Sequence, residues 1–241
     1  MTETTGSDAA ISNRLLAALP AGEYRRLFPK LEQIPLTYGD NIYERGKIID
    51  NVYFPNSGII SLLAAVETSS TLEVGVVGKE GIVGLALFLG VKVSNHEAIV
   101  QGQGFAMRMK TAAFLTECGK NGMLPRLLKR FTQSLFMQIS QSAVCYRFHP
   151  AEDRLARWLL MTSDRMETNE FHLTQGFLSN MLGVRREAVN KSAVILQQKN
   201  LISYSRGNII ITNRRELEVK ACQCYNTIKA EETSFPVHLK A

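Results

Sequence analysis

The sequence predicts an α+β chain in three parts: a jelly-roll-like β-roll, one long central helix, and a winged helix-turn-helix at the C-terminal end. Three observations predict it. Between Leu31 and Met109, short β-prone runs alternate with turn residues. From Leu124 to Tyr146, apolar residues recur at spacings of three and four without a break. From Leu173 to Thr212, two short helical patterns flank a glycine and are followed by two β-branched runs.

In chain order, Met1 to Ala10 is a polar tail. Asn13 to Phe28, with Leu15, Leu16, Leu19, Tyr24 and Leu27, forms short helices broken at Pro20. Strands are expected at Leu36–Tyr38, Asn41–Tyr43, Asn51–Phe54, Ile59–Val66, Leu72–Val77, Ala98–Val100 and Phe105–Met109. Gly39-Asp40, Arg45-Gly46 and Asn56-Ser57-Gly58 punctuate them. Many short strands at regular turn spacing imply a barrel or jelly roll. In the long helix, Leu124, Leu128, Phe131, Leu135, Ile139, Ser142 and Tyr146 form one stripe, and Leu127, Phe136 and Val144 a second. His149-Pro150 ends it, since proline lacks the N–H and restricts its predecessor. Ala151 to Met166 is the next helix. Thr174 is a good N-cap, and Leu178, Met181 and Leu182 give one apolar face. Gly183 supplies the left-handed end, and Val184 packs inward. Arg185 or Arg186 opens a second helix with Val189, Ala193 and Leu196 inside. Leu201–Tyr204, the turn Ser205–Asn208 and Ile209–Thr212 make the hairpin wing. Residues 221–241 read as a helical extension and tail.

Composition narrows the function classes. With 45% hydrophobic and 21% charged residues, the 241-residue chain has a globular balance. The net charge of +6 is segregated: residues 1–110 carry 10 basic and 11 acidic side chains, residues 171–220 carry 8 and 3. The positive field falls on the segment with the helix-turn-helix, as nucleic-acid binding requires. The first ten residues lack a basic n-region before an apolar core, so no secretory signal is expected. The longest apolar run, Ile82 to Val91, is too short to span a bilayer. These features point to the cytoplasm and to no membrane role. Cys118, Cys145, Cys222 and Cys224 lack disulfide-scaffold or zinc-finger spacing. Cys222-x-Cys224 is a weak metal signal, because the sequence places no His or Cys beside it to complete a tetrahedron. No metal and no cofactor are expected. No nucleophile elbow, P-loop or metal triad appears, and His96, His149, His172 and His238 have no metal-pair spacing, so no enzyme is expected. Cys145 with His149 could be imagined as nucleophile and base; a helix-end cysteine beside a hinge is the plainer reading.

The outer face of the second helix shows Arg186, Glu187, Asn190 and Lys191. Arg can fork onto guanine, Glu accept from cytosine, Asn pair with adenine, and Lys neutralise a phosphate. An ordinary helical hairpin with a solvated charged face is the competing reading of the turn alone. Residues 148–217 resemble the DNA-binding domain of the Crp/Fnr family of bacterial transcription regulators. The match runs through Leu173, Thr174, Gln175, Leu178, Leu182, Gly183, Val184, Arg186, Glu187, Val189, Leu201 and Ile202. The resemblance implies that Arg186, Glu187 and Lys191 meet DNA. Thr174, Gln175, Arg185, Asn190 and Arg206 complete the expected contact set. Two positions depart from the pattern: Arg185 stands where Ser is usual and adds charge, and Ser192 stands at a usually apolar position.

The run Tyr38-Gly39-Asp40 through Gly46, then Val52-Tyr53-Phe54 and Ser57-Gly58, is similar to the start of a cyclic-nucleotide-binding β-roll. With Gly84 as the family glycine, the ribose-binding Glu falls on Leu85 and the phosphate-binding Arg on His96. Gly84, Leu85 and His96 therefore read as a degenerate pocket, and cyclic AMP as not the ligand. The resemblance makes the first stripe of the long helix, Leu124 to Tyr146, the dimerisation surface. The alternative is a helix packed on the roll alone. The implied organisation is a β-roll sensor over 11–123, dimerisation helix and hinge over 124–149, winged helix-turn-helix over 150–220 and an extension over 221–241. The expected function is a homodimeric regulator binding palindromic double-stranded DNA, with RNA polymerase as a further partner and an effector the sequence does not identify. A small-ligand signalling adaptor without a direct DNA role is the alternative.

Overall fold

The computed structural model describes residues 12–67 and 70–234, the side chains at 66, 67 and 70 excepted; the polar tail, His238 and the chain beyond Ser234 lie outside it. Two short helices open the described chain, α1 (Arg14–Ala17) and α2 (Ala21–Leu27). Asn13 starts α1: its side-chain oxygen accepts from the Leu15 and Leu16 amides, while its Nδ2 donates to the Pro55 and Gly81 carbonyls. That bonding lets a polar residue be fully buried.

Seven strands then build the roll: β1 (Glu32–Leu36), β2 (Asn41–Tyr43), β3 (Asn51–Pro55), β4 (Ile59–Glu67), β5 (Ser70–Val77), β6 (Glu97–Gly102) and β7 (Gly104–Lys110). They form two antiparallel sheets, in the orders β1-β7-β3 and β2-β6-β4-β5. The expected strand at Leu36–Tyr38 is displaced: β1 ends at Leu36, and its Pro35 pairs with Phe105. Pro35 argues against a strand locally but is tolerated because β1 lies at a sheet edge. Between the sheets lies a core that includes Leu36, Val52, Phe54, Ile60, Val100 and Met109. The long apolar run contributes Ile82, Val83, Leu85 and Leu87 to that core.

After α3 (Thr111–Cys118) comes α4 (Met123–Phe148), the long helix. Its first stripe corrects the sequence reading. Leu124, Leu128 and Phe131 are at most 4% exposed, inside the roll's own core, and Leu135 packs against it. Ile139 is half-buried, Ser142 is buried, and the Tyr146 hydroxyl donates to the Glu73 carbonyl. The N-terminal half of this stripe is therefore covered within the chain, by the roll's own core. Periodicity marks which side of a helix is covered, not what covers it. The open side instead carries Phe136, Val144 and Phe148, at 63%, 44% and 71% exposure.

Helix α5 (Ala151–Met166) follows Pro150, with Glu152 and Asp153 in its first turn. The short strand β8 (Glu170–His172) leads to α6 (Gln175–Leu182) and α7 (Arg186–Gln198). The wing strands β9 (Ile202–Ser205) and β10 (Asn208–Ile211) pair with each other, and β8 joins the other edge of β10. Helices α8 (Arg214–Lys220) and α9 (Cys224–Ser234) close the described chain. Roll and C-terminal module are not separate bodies of core. Ile59, Leu63 and Val76 of the roll share one buried cluster with Leu155, Trp158 and Leu159 of α5 and with the α6 and α7 interior.

A polar network crosses the same junction. Trp158 Nε1 donates to Glu73 Oε1 at 2.9 Å. Ser61 Oγ lies 2.7 Å from Glu73 Oε2 and 2.6 Å from Gln101 Oε1, and Gln101 Nε2 donates to Thr162 Oγ1 at 3.0 Å. One hydroxyl proton cannot serve both of Ser61's contacts. A neutral Glu73 carboxyl can supply the second proton. Burial agrees: desolvation raises the Glu73 pKa to about 7, against hydrogen bonds from Ser61 and Trp158 and the fields of Arg157 and Arg165.

Candidate nucleic-acid interface

Thr174 caps α6, accepting from the Phe177 amide at 3.1 Å. Gly183 ends it in the left-handed region at φ +60°. A Cβ there would also lie 2.6 Å from Leu72 Cδ1 of β5. Gly183→Ala is expected to cost about 1–2 kcal/mol, the ordinary penalty of a left-handed alanine; an unchanged denaturation midpoint would contradict this.

The turn aims α7 so that Val189, Ala193 and Leu196 are buried, while Arg185, Arg186, Glu187, Asn190 and Lys191 are exposed on the opposite side. Ser192 is buried, and its hydroxyl donates to the Ala188 carbonyl at 2.8 Å, so the usual apolar contact is replaced by a satisfied local bond. Gln175 Nε2 donates to Asn190 Oδ1 at 3.2 Å, joining the start of α6 to α7. The Arg186 guanidinium lies back over Gly176, where a Cβ would sit 3.0 Å from Nη2. Arg206 stands at the wing tip with φ +49°. Thr174, Gln175, Asn190 and Arg206 line one open groove with His172 and Tyr204. The fold thus exposes every residue of the predicted contact set except Gln175, which is half-buried, and gathers four of them in one groove. It adds two exposed groups that sequence reasoning missed. Val194 projects from α7, and His172 Nδ1 lies 2.8 Å from Asn208 Oδ1 beside the wing. A signal for Val194 existed: it falls four residues after Asn190, on the same face.

Two of the module's other cations differ from those of this surface in their pairing. Among the described residues, no ion pair engages Arg185, Arg186, Lys191 or Arg206. Away from it, Arg214 pairs with Asp164 and Glu218, and Lys220 with Asp153. Arg185 is the N-cap of α7 yet makes no side-chain cap bond. Arg185→Ser is therefore expected to stabilise the chain by about 1 kcal/mol while removing one surface charge; a lower denaturation midpoint would overturn it.

Gly84 has φ +100° and lies against Val52, and Leu85 is 8% exposed in the core. The Tyr43 hydroxyl bonds the Gly84 backbone and the Ser94 side chain, and burial pushes its pKa up to about 12. His96 is half-buried; desolvation, then Arg45, lowers its pKa, so neutral imidazole is favoured there. No helix among the described residues is long and apolar enough to cross a membrane.

Comparison with known proteins agrees with this geometry. Residues 153–219 match the model of the Crp-like helix-turn-helix domain. No curated protein matches the chain. Among solved structures, FixK2 from Bradyrhizobium japonicum is 15% identical with a TM-score of 0.68, covering 80% of this chain and 98% of its own. The c-di-GMP-responsive global regulator CLP of Xanthomonas campestris is 16% identical with a TM-score of 0.66, covering 80% and 100%. A CRP/FNR-family transcriptional regulator of Thermus thermophilus is 20% identical with a TM-score of 0.61, covering 79% and 98%. Residues 153–219 are thus a Crp-like helix-turn-helix domain, and the chain carries it on the β-roll and long-helix fold of the Crp/Fnr transcription regulators.

Proposed function

We propose that this chain is a sequence-specific DNA-binding transcription regulator that engages palindromic duplex DNA as a homodimer and is not controlled by cyclic AMP. The observation that carries the reading is the basic face of α7, where Arg186, Asn190 and Lys191 are exposed together and, among the described residues, neither cation is in an ion pair, whereas Arg214 and Lys220 elsewhere in the module are paired with acids. Arg186, Glu187 and Asn190 read base edges, with Val194 available to a thymine methyl. Lys191, Arg185, Arg206 and the amides at the start of α6 hold phosphates, which fix register without specifying sequence.

Pairing uses the open side of α4, where Phe136 and Val144 are exposed. A two-fold axis along that helix sets two α7 helices about 34 Å apart, one turn of duplex. The effector acts by shifting α4 and the hinge at His149-Pro150 against the shared core. RNA polymerase is the downstream partner. The non-catalytic reading rests on the chemistry of this surface, whose exposed groups suit base edges and phosphates rather than bond-breaking.

Selection of bound sequences from random duplexes, with sedimentation of the complex, tests the proposal. The expected result is an enriched inverted repeat bound by two chains. A monomer that enriches no sequence rejects it.

A further inference from the structure

Four side chains that the DNA reading does not use converge behind the hinge. Cys145 is in the last turn of α4, and His149 follows that helix directly. Cys222 lies in the link between α8 and α9, and Cys224 opens α9. Cys145 Sγ is 3.4 Å from Cys222 Sγ, and Cys224 Sγ is 3.4 Å from His149 Nδ1. All four donor atoms lie within 4.8 Å of one another. All three cysteines are buried and His149 is half-buried. Cys118, the fourth cysteine of the chain, stands apart on α3.

We propose that Cys145, His149, Cys222 and Cys224 form a tetrahedral site for a thiophilic divalent cation, zinc being the ion this donor set selects. Zn–S bonds of about 2.3 Å and Zn–N bonds of about 2.0–2.1 Å place neighbouring donors roughly 3.5–3.8 Å apart. The observed spacing needs only small side-chain shifts to reach that figure. Three thiolates and one imidazole are the closed set of a structural zinc site. Hard cations such as magnesium and calcium are disfavoured by the absence of oxygen donors.

Two surrounding groups fit the charge of such a centre. A dication with three thiolates carries one net negative charge. Arg157 is 2% exposed, lies within electrostatic reach of Cys145 and Cys222, and has a buried Nε without a hydrogen-bond partner. It is the counter-charge. Gln141 Nε2 approaches Cys224 Sγ at 3.1 Å, an outer-shell donor to a coordinating thiolate. The ion would join the end of α4, the hinge and the α8–α9 link in one clamp. It would thereby fix the angle at which the helix-turn-helix leaves the long helix.

The test uses the full-length, reduced, metal-stripped chain and cobalt(II) as a spectroscopic probe. One cobalt per chain should give thiolate charge-transfer and tetrahedral ligand-field bands, and zinc should bleach them. His149→Ala should weaken the metal by more than the roughly 10- to 100-fold that loss of an outer-shell partner costs, and Cys222→Ser should abolish the cobalt bands. Absence of those bands in the unaltered chain overturns the proposal, whatever the variants do. So does a Cys145–Cys222 disulfide in protein purified under reducing conditions. None of these readouts involves DNA, so the site and the regulator reading stand or fall separately.

Discussion

Replacing Arg186 and Lys191 together by alanine is expected to lower affinity for the selected palindrome by roughly 30- to 25,000-fold. A good bidentate base contact carries about 1–3 kcal/mol, and a dimer makes it twice. The two residues separate by how the loss depends on conditions. Arg186→Ala should relax preference at one base pair in each half-site while leaving the salt dependence largely in place. Lys191→Ala should weaken all sequences alike and reduce the slope of log affinity against log salt by about 1.8 per dimer, since each lost phosphate contact removes about 0.9. Both residues are exposed, so neither change should move the unfolding midpoint appreciably. Filter binding across a salt series decides. Equal affinity and slope for the double variant would remove α7 from the interface.

Glu73→Gln should raise stability at pH 8 by up to about 3 kcal/mol. The folded carboxyl titrates near 7 against 4.5 for the free group. Below pH 4.5 both states hold the proton and Glu73 imposes no penalty. As pH climbs from 4.5 to 7, the unfolded chain loses its proton while the folded chain keeps it. Stability therefore falls by about 1.4 kcal/mol per pH unit, and the loss is complete above 7. A glutamine amide donates to Ser61 Oγ as the protonated acid does, and its oxygen still accepts from Trp158 Nε1. The variant should then lack this descent. Trp158, the chain's one tryptophan, touches Glu73 directly and reports unfolding by its fluorescence. Parallel stability–pH curves for parent and variant would show that Glu73 is ionised in the folded chain. Because Ser61, Glu73 and Gln101 come from the roll, and Trp158 and Thr162 from α5, this proton sits on one of the contacts that join the two.

Local devices were legible in the residues themselves. Thr174 and Gly183 bracket α6, because capping and left-handed backbone depend on a residue and its next few neighbours. Pro150 places the break before α5 for the same reason. β-prone runs and turn residues located six of the seven roll strands. Helix α8 was within reach too: Asn213 caps it three residues before Glu216, a spacing that marks a helix start. Strand β8 was not, since Glu170–His172 is too short to carry a pattern and is a strand only because β10 pairs with it.

Whatever depends on partners distant in the chain was settled by packing. The first stripe of α4 is apolar whether it meets a roll or a second subunit; only the closed fold assigns its N-terminal half to the roll and leaves Phe136 and Val144 outside. Glu73 looks like any strand glutamate until Trp158, 85 residues on, closes over it. Cys222 and Cys224 lack a neighbour in sequence, and receive Cys145 and His149 only because α9 folds back along α4. Short-range preferences are written in single residues, but burial and convergence are properties of the closed chain.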